Sequence, residues 1–94
     1  MNGGPVRVRI PTILRTYTDG ESEVGAAGET LGQVLDDLDA SYPGIKGRIL
    51  DDQGALRRFV NVYVGNDDVR FLDALETKVE AGAQVSVIPA VAGG

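Results

Sequence analysis

The 94-residue sequence contains neither cysteine nor histidine. Without cysteine the chain has no disulfide, no thiolate metal site and no cysteine nucleophile. Without histidine it lacks the most common general base and the most common metal ligand. Any chemistry of its own would depend on carboxylates, Lys, Tyr, Ser or Thr. An enzyme is therefore the least favoured class for this chain.

Long apolar runs and positive charge are also scarce. No apolar run approaches the roughly 20 residues that cross a bilayer, and the N-terminus lacks the charged and then apolar pattern of a signal peptide. The formal net charge of −5 disfavours nucleic acid, whose phosphates require a basic surface. We therefore expect a cytoplasmic protein with neither a membrane nor a nucleic-acid partner. Its length fits one domain with one compact core.

The first half of the chain predicts two strands and one helix. Residues 6–13 begin with alternating apolar and charged side chains, which is typical of a half-buried strand, and residues 22–26 predict a second strand of the same hairpin. Thr30 followed by Gln33 indicates a capping box at a helix N-terminus. Pro43-Gly44 should end this helix. Its buried face is predicted by apolar residues at helical spacing, namely Leu31, Val34, Leu35, Leu38 and Tyr42.

The second half predicts further strands and short turns. The β-branched and aromatic run at 59–64 indicates a central strand, and a hairpin followed by a helix and more strands indicates an α+β fold. The predicted elements are a helical turn (45–50), the central strand (59–64), a turn (65–68), a short return strand (69–71), a helical turn (74–79) and a last strand (84–88).

The acidic residues do not predict a metal site. Asp36, Asp37 and Asp39 match the spacing of no metal-binding loop and fit a solvated helix face. The segment Asn66-Asp67-Asp68 is more typical of a turn than of a ligand set.

The sequence ends in Gly93-Gly94, and 13 of its 94 residues are glycine, so a terminal pair has a chance probability of roughly 2%. Two residues without side chains can lie extended in a narrow channel and bring a carboxylate to a catalytic centre. A frayed terminus is the competing interpretation. The setting favours function, because the pair follows a predicted strand, a stiff Pro89 and the small Ala90 and Ala92.

Three segments resemble the ThiS/MoaD family of ubiquitin-like sulfur carriers. The C-terminal segment 85–94 is similar to the end of those proteins, and segments 59–64 and 66–71 are similar to their central hairpin. Segment 8–15 resembles the CysO branch of actinobacteria, which serves cysteine biosynthesis. The resemblance implies a β-grasp fold, with about five strands on one main helix, in a domain over residues 1–89, followed by a flexible tail over residues 90–94.

The resemblance also implies a function in which Gly94 is the reacting residue. An E1-like enzyme would adenylate its carboxylate with ATP, and a sulfur donor would convert it to a thiocarboxylate. Ala92 and Gly93 would thread into the partner's channel. In the CysO branch, a pyridoxal-phosphate-dependent cysteine synthase accepts the sulfur and a metalloprotease releases the cysteine. The carrier itself would be no enzyme and need no cofactor.

A carrier must also be gripped on its folded body, because a short tail offers too few contacts. If Val85 and Val87 face the core, Ile88 faces outward, where the family uses an apolar residue to contact the E1-like enzyme. Phe59 either joins this docking site or belongs to the core.

Four alternatives remain open on the sequence alone. A molybdopterin synthase small subunit and a thiamine- or thiosugar-pathway sulfur carrier would have the same fold and the same tail chemistry. It also fits a ubiquitin-like modifier that forms isopeptide bonds, or an interaction module with an inert terminus.

Overall fold

A computed structural model of the chain describes residues 5–89. The strands in this range are β1 (Val6–Arg9), β2 (Glu23–Ala26), β3 (Val60–Val64), β4 (Asp67–Asp68) and β5 (Gln84–Pro89). The α-helices in this range are α1 (Leu31–Ser41) and α2 (Lys46–Ile49). Single turns of 3₁₀ helix cover Thr12–Leu14, Val69–Phe71 and Ala74–Glu76.

The strands of residues 5–89 form one mixed sheet in the order β2-β1-β5-β3-β4. β1 pairs antiparallel with β2 and parallel with β5, and β3 pairs antiparallel with β5. A parallel pair made of the first and last strands, with a helix between them in the chain, is the β-grasp arrangement that the resemblance implies. The sequence places β3 at the centre, but the middle strand is β5 and β3 lies one place from the edge.

The core lies between the sheet and α1. Val8, Val62 and Val85 are fully buried on the inner face of three adjacent strands. The predicted apolar face of α1 covers them, with only Tyr42 left partly exposed beyond the helix end; its buried members are Leu31, Val34, Leu35 and Leu38. Because alternate strand residues point in opposite directions, the other face of the sheet carries the exposed side chains.

The start of α1 confirms the predicted N-cap and corrects the capping box. Thr30 has extended backbone, and its Oγ1 accepts a hydrogen bond from the N–H of Gln33 at 3.3 Å. The side chain of Gln33 reaches back one residue further than a capping box does, and its Oε1 accepts from the N–H of Glu29 at 2.8 Å. The helix ends before Pro43-Gly44 as predicted, and Gly44 adopts a φ of +99° that favours glycine.

The first strand is shorter than predicted. It stops at Arg9, whereas the sequence predicts a strand over 6–13. Pro11 has no N–H to donate to a sheet ladder, and the chain turns there into the 3₁₀ helix Thr12–Leu14, which buries Leu14. Ile13 is consequently exposed on the surface.

The predicted return strand at 69–71 is wrong. A two-residue turn, Gly65-Asn66, brings Asp67–Asp68 opposite β3, so β4 forms two residues earlier. The carboxylate of Asp68 then accepts a hydrogen bond from the N–H of Arg70 at 2.9 Å. This bond caps the 3₁₀ helix Val69–Phe71 and turns the chain away from the sheet.

The acidic residues of α1 stabilise local backbone rather than only facing solvent. One oxygen of Asp39 accepts from the N–H groups of Gly44 at 3.0 Å and Lys46 at 3.1 Å, and Asp37 accepts from the N–H of Ala27 at 2.9 Å. Asp36 forms a salt bridge with the ammonium of Lys46.

Asp51 organises the loop that follows α2. Its Oδ1 accepts from the N–H groups of Ala55 at 3.0 Å and Gln53 at 2.9 Å. These two bonds stabilise the ionised form, so the pKa of Asp51 lies below its usual value.

Candidate functional site at the end of strand β5

β5 ends at Pro89, the residue that precedes 90–94 in the chain. It is held on one side by β1, through the pairs Arg7–Gln84 to Arg9–Ser86, and on the other by β3. The β3 pairing continues to Val60 opposite Pro89, the last described residue. The last described residue is therefore part of the middle strand of the sheet. Gly94, the predicted reacting residue, and Ala92 and Gly93, the predicted threading residues, lie outside the described residues.

A groove lies beside the last three residues of β5. β1 ends opposite Ser86 while β5 continues to Pro89, so β5 loses its neighbour on that side. The chain after β1 turns into the Thr12–Leu14 helix instead of continuing the pairing. The space between the two segments has a volume of about 450 Å³, and its lining includes Pro11, Ile13, Ile88 and Pro89, with Arg9 and Arg15 at its sides.

Ile88 faces solvent at the edge of this groove, as the sequence predicts. Val85 and Val87 are buried on the inner face, and Ile88 is 46% exposed. Its antiparallel partner on β3 is Asn61. An exposed β-branched side chain one residue from the end of β5 is available for contact with a partner. Its role in docking stays a prediction.

Phe59 lies outside the core. It precedes β3 and is 51% exposed, which excludes the interpretation that it belongs to the core. The guanidinium carbon of Arg58 lies 5.9 Å from the centre of its ring, within the range of a cation–π contact. Because Val60 pairs with Pro89, Phe59 lies near Pro89. Its role in docking also stays a prediction.

Sequence reasoning missed Ile13 as a member of this site. Its side chain is 69% exposed and lines the groove together with Ile88. In the predicted strand over 6–13, Ile13 falls on the outward face of Arg7 and Arg9, but the clear alternation ends at Ile10 and does not extend to Ile13. Pro11 is the signal for finding it, because a proline at that point ends the strand and frees the following residues.

Neither a metal site nor a membrane span emerges from residues 5–89. No group of three or more carboxylates, cysteines or histidines is arranged there to hold a metal ion. No helix in this part of the chain is both long and apolar enough to cross a bilayer.

Comparisons with known proteins agree with this architecture. The model of the ThiS family matches residues 8–94. The sulfur carrier protein CysO of Mycobacterium tuberculosis is 52% identical over 91 residues, which are 95% of this chain and 98% of that protein. Its crystal structure matches with a TM-score of 0.89 at 50% identity, covering 92% of this chain and 99% of that one.

A second solved structure contains a relative in a complex. The crystal structure of the BexX/CysO complex of Amycolatopsis orientalis has a chain that matches with a TM-score of 0.89 at 48% identity, covering 95% of this chain and 99% of that one. Family match, sequence identity and fold extend over nearly the whole chain. This protein therefore belongs to the ThiS family.

Proposed function

We propose that this protein is a sulfur carrier whose reacting group is the carboxylate of Gly94, serving cysteine biosynthesis. The observation that supports this most directly is the position of the tail. It follows the middle strand of the sheet, which pairs with β1 as far as Ser86 and with β3 as far as Pro89, where it ends beside an exposed groove. A partner that grips this groove receives the five following residues at a fixed place.

The proposed activation proceeds in two steps on an E1-like enzyme. An oxygen of the Gly94 carboxylate attacks the α-phosphorus of ATP, and pyrophosphate leaves. The resulting acyl-adenylate is a mixed carboxylic–phosphoric anhydride, so a hydrosulfide ion supplied by the sulfur donor adds to its carbonyl carbon and AMP leaves. The product is a thiocarboxylate, whose sulfur is nucleophilic toward an electrophilic acceptor.

The folded body contributes position rather than catalysis in this proposal. The chain has no histidine or cysteine, and its partners supply the catalytic groups. Ile88 and Phe59 provide exposed apolar contacts at the tail root, while Ala92 and Gly93 are small enough to thread into a channel. The 52% identity to a mycobacterial CysO supports a cysteine synthase that uses pyridoxal phosphate as the acceptor and a metalloprotease as the releasing enzyme.

The structure of a relative supports the expectation that this body docks on other proteins. CysO of Amycolatopsis orientalis occurs in a complex with BexX, and its fold matches that of the present chain. We expect the present protein to dock with its activating enzyme and its acceptor enzyme in the same general manner, in the cytoplasm and without a cofactor of its own.

Intact mass spectrometry tests the proposal. Incubation with the E1-like enzyme of the same organism, ATP and a sulfur source should add about 16 Da, because sulfur replaces one oxygen of the carboxyl group. Omission of ATP is the control and should leave the mass unchanged. No ATP-dependent gain with any E1-like enzyme of that organism would exclude the carrier function.

Three further experiments separate the alternatives. A ubiquitin-like modifier would form conjugates that contain a Gly94–lysine linkage, which peptide mapping detects. A molybdopterin synthase subunit would co-purify in a stable complex with its large subunit, whereas a carrier for cysteine synthesis docks transiently. An inert terminus predicts that removal of Gly93-Gly94 leaves activity unchanged.

A further inference from the structure

Arginine side chains flank Ile88 on the outer face of the sheet. The outward positions of β1 are Arg7 and Arg9, because the alternate residues of this strand are fully buried. Arg9 pairs in register with Ser86, two residues before Ile88 on the same face of β5. On the other side of β5, Asn61 lies opposite Ile88.

Arg70 is fixed at this second side. Its Nη1 donates to the side-chain oxygen of Asn61 at 2.7 Å, and its Nη2 donates to the carbonyl oxygen of Arg57 at 2.5 Å. Both acceptors are uncharged, so the positive charge of the guanidinium is not neutralised by them. A cation held in one geometry loses less conformational freedom when it meets a partner.

Two carboxylates of this face bond to groups other than the guanidinium groups of Arg9 and Arg70. Glu23, which lies opposite Arg9 in the β1–β2 register, accepts from the guanidinium of Arg7 at 2.6 Å, and Asp68 accepts from the backbone N–H of Arg70. Among residues 5–89, no carboxylate lies within 4.0 Å of the guanidinium groups of Arg9 or Arg70. Two cations without salt-bridge partners in this range thus border the exposed Ile88.

The opposite layer of the molecule has the opposite charge. Helix α1 carries Asp36, Asp37 and Asp39 and no basic residue. Asp36 is paired with Lys46 of α2, and the whole chain has a net charge of −5. Clustered arginines on one face of an acidic protein generate a field that orients it. A negatively charged surface would attract the outer face and repel the helical layer.

We propose that the outer face around Ile88 binds a protein partner whose docking site has an apolar pocket bordered by carboxylates. The proposal rests on the sulfur-carrier function and deepens it, because it assigns the chemistry by which tail-handling enzymes recognise the body. Ile88 and Ile13 fill the apolar pocket, and Arg9 and Arg70 meet the carboxylates. Charge complementarity delivers the carrier with the root of its tail toward the partner.

Binding to the E1-like enzyme of the same organism, measured by calorimetry without ATP, tests this proposal. Arg9→Gln and Arg70→Gln should each raise the Kd about two- to fivefold at ~0.05 M salt, the range expected for one exposed charge pair. The effect should shrink at ~1 M salt, where the screening length falls to about 3 Å. Arg48→Gln removes an exposed arginine on α2 and serves as the matched control, with an unchanged Kd expected.

Three results would overturn the proposal. The first is equal weakening by Arg48→Gln, which would show an effect of net charge only. The second is a Kd that does not respond to the Arg9 and Arg70 variants at low salt. The third is self-association of the wild-type chain in sedimentation experiments that Arg9→Gln abolishes, because a second copy would then cover this face. Urea unfolding of each variant verifies that it is folded.

The experiment also separates this proposal from the proposed function. If the wild-type protein gains no sulfur but binds with the expected dependence on Arg9 and Arg70, the carrier function fails and the docking surface stands. If it gains sulfur and the two arginine variants bind like the wild type, the docking chemistry fails alone.

Discussion

Replacement of Ile88 by alanine should separate docking from folding. The side chain is 46% exposed in the free protein, so a partner that covers it removes roughly half of its surface from water. Complete burial of an isoleucine contributes about 1.5–3 kcal/mol, and half of that is about 0.7–1.5 kcal/mol. Since about 1.4 kcal/mol corresponds to a tenfold change, Ile88→Ala should lower kcat/KM for activation about three- to twelvefold.

Leu72→Ala is the matched control for this variant. Leu72 is 47% exposed, nearly the same as Ile88, and is absent from the lining of the groove. Its replacement should leave kcat/KM unchanged. Ile88→Ala should also reduce the free energy of unfolding by about 0.8–1.6 kcal/mol, because the other half of Ile88 is buried in the fold. Both variants are therefore compared under conditions in which they are fully folded.

The assay is the rate of ATP-dependent sulfur loading at carrier concentrations below KM, followed by intact mass. A lower kcat/KM for Ile88→Ala alone supports docking at the end of β5. Equal rates for wild type and Ile88→Ala, or an equal loss in Leu72→Ala, would refute the reasoning that places the docking site there.

Three further predictions concern the fold. Gly28→Ala should strongly lower the free energy of unfolding, because a Cβ there would lie 2.6 Å from the backbone nitrogen of Val34 in α1. Gly47→Ala is the control: its Cβ would meet nothing within 4 Å, so urea unfolding should show unchanged or slightly higher stability. Thr30→Ala should lower the free energy of unfolding by about 1 kcal/mol through loss of the N-cap, and retention of wild-type stability would contradict this role. Hydrogen bonds from the N–H groups of Ala55 and Gln53 lower the pKa of Asp51, so NMR titration should show a pKa below the usual value. Its contribution to stability should be present above the unfolded-state pKa and be lost as the pH falls through the folded value; a pKa at or above the usual value would contradict the assignment.

The sequence was sufficient for the elements in which local signals agree with the final packing. Apolar spacing, the Thr30 cap and the Pro43-Gly44 stop all indicate the same helix, and α1 forms as predicted. The alternation of β1 and the run of β3 were likewise informative. The parallel pairing of β1 with β5 came from the family resemblance, because two strands about 80 positions apart in the chain leave no local trace of their register.

The errors occur where a single residue overrides a pattern. Pro11 ends β1 early and exposes Ile13, and the carboxylate of Asp68 converts the expected return strand into 3₁₀ helix. At the site, strand alternation was enough to predict that Ile88 is exposed, because Val85 and Val87 face the core and the next residue faces outward. The cationic border was not predictable, since Arg70 bonds to Asn61, which lies opposite Ile88 on the neighbouring strand.

The position of the added sulfur tests the central proposal most directly. After loading with the E1-like enzyme, ATP and a sulfur source, peptide mapping by tandem mass spectrometry should place the whole mass gain on the terminal carboxyl group of Gly94. A gain at any other residue, or a loaded sample in which the terminal carboxyl group is unchanged, would contradict the proposal that Gly94 is the reacting group.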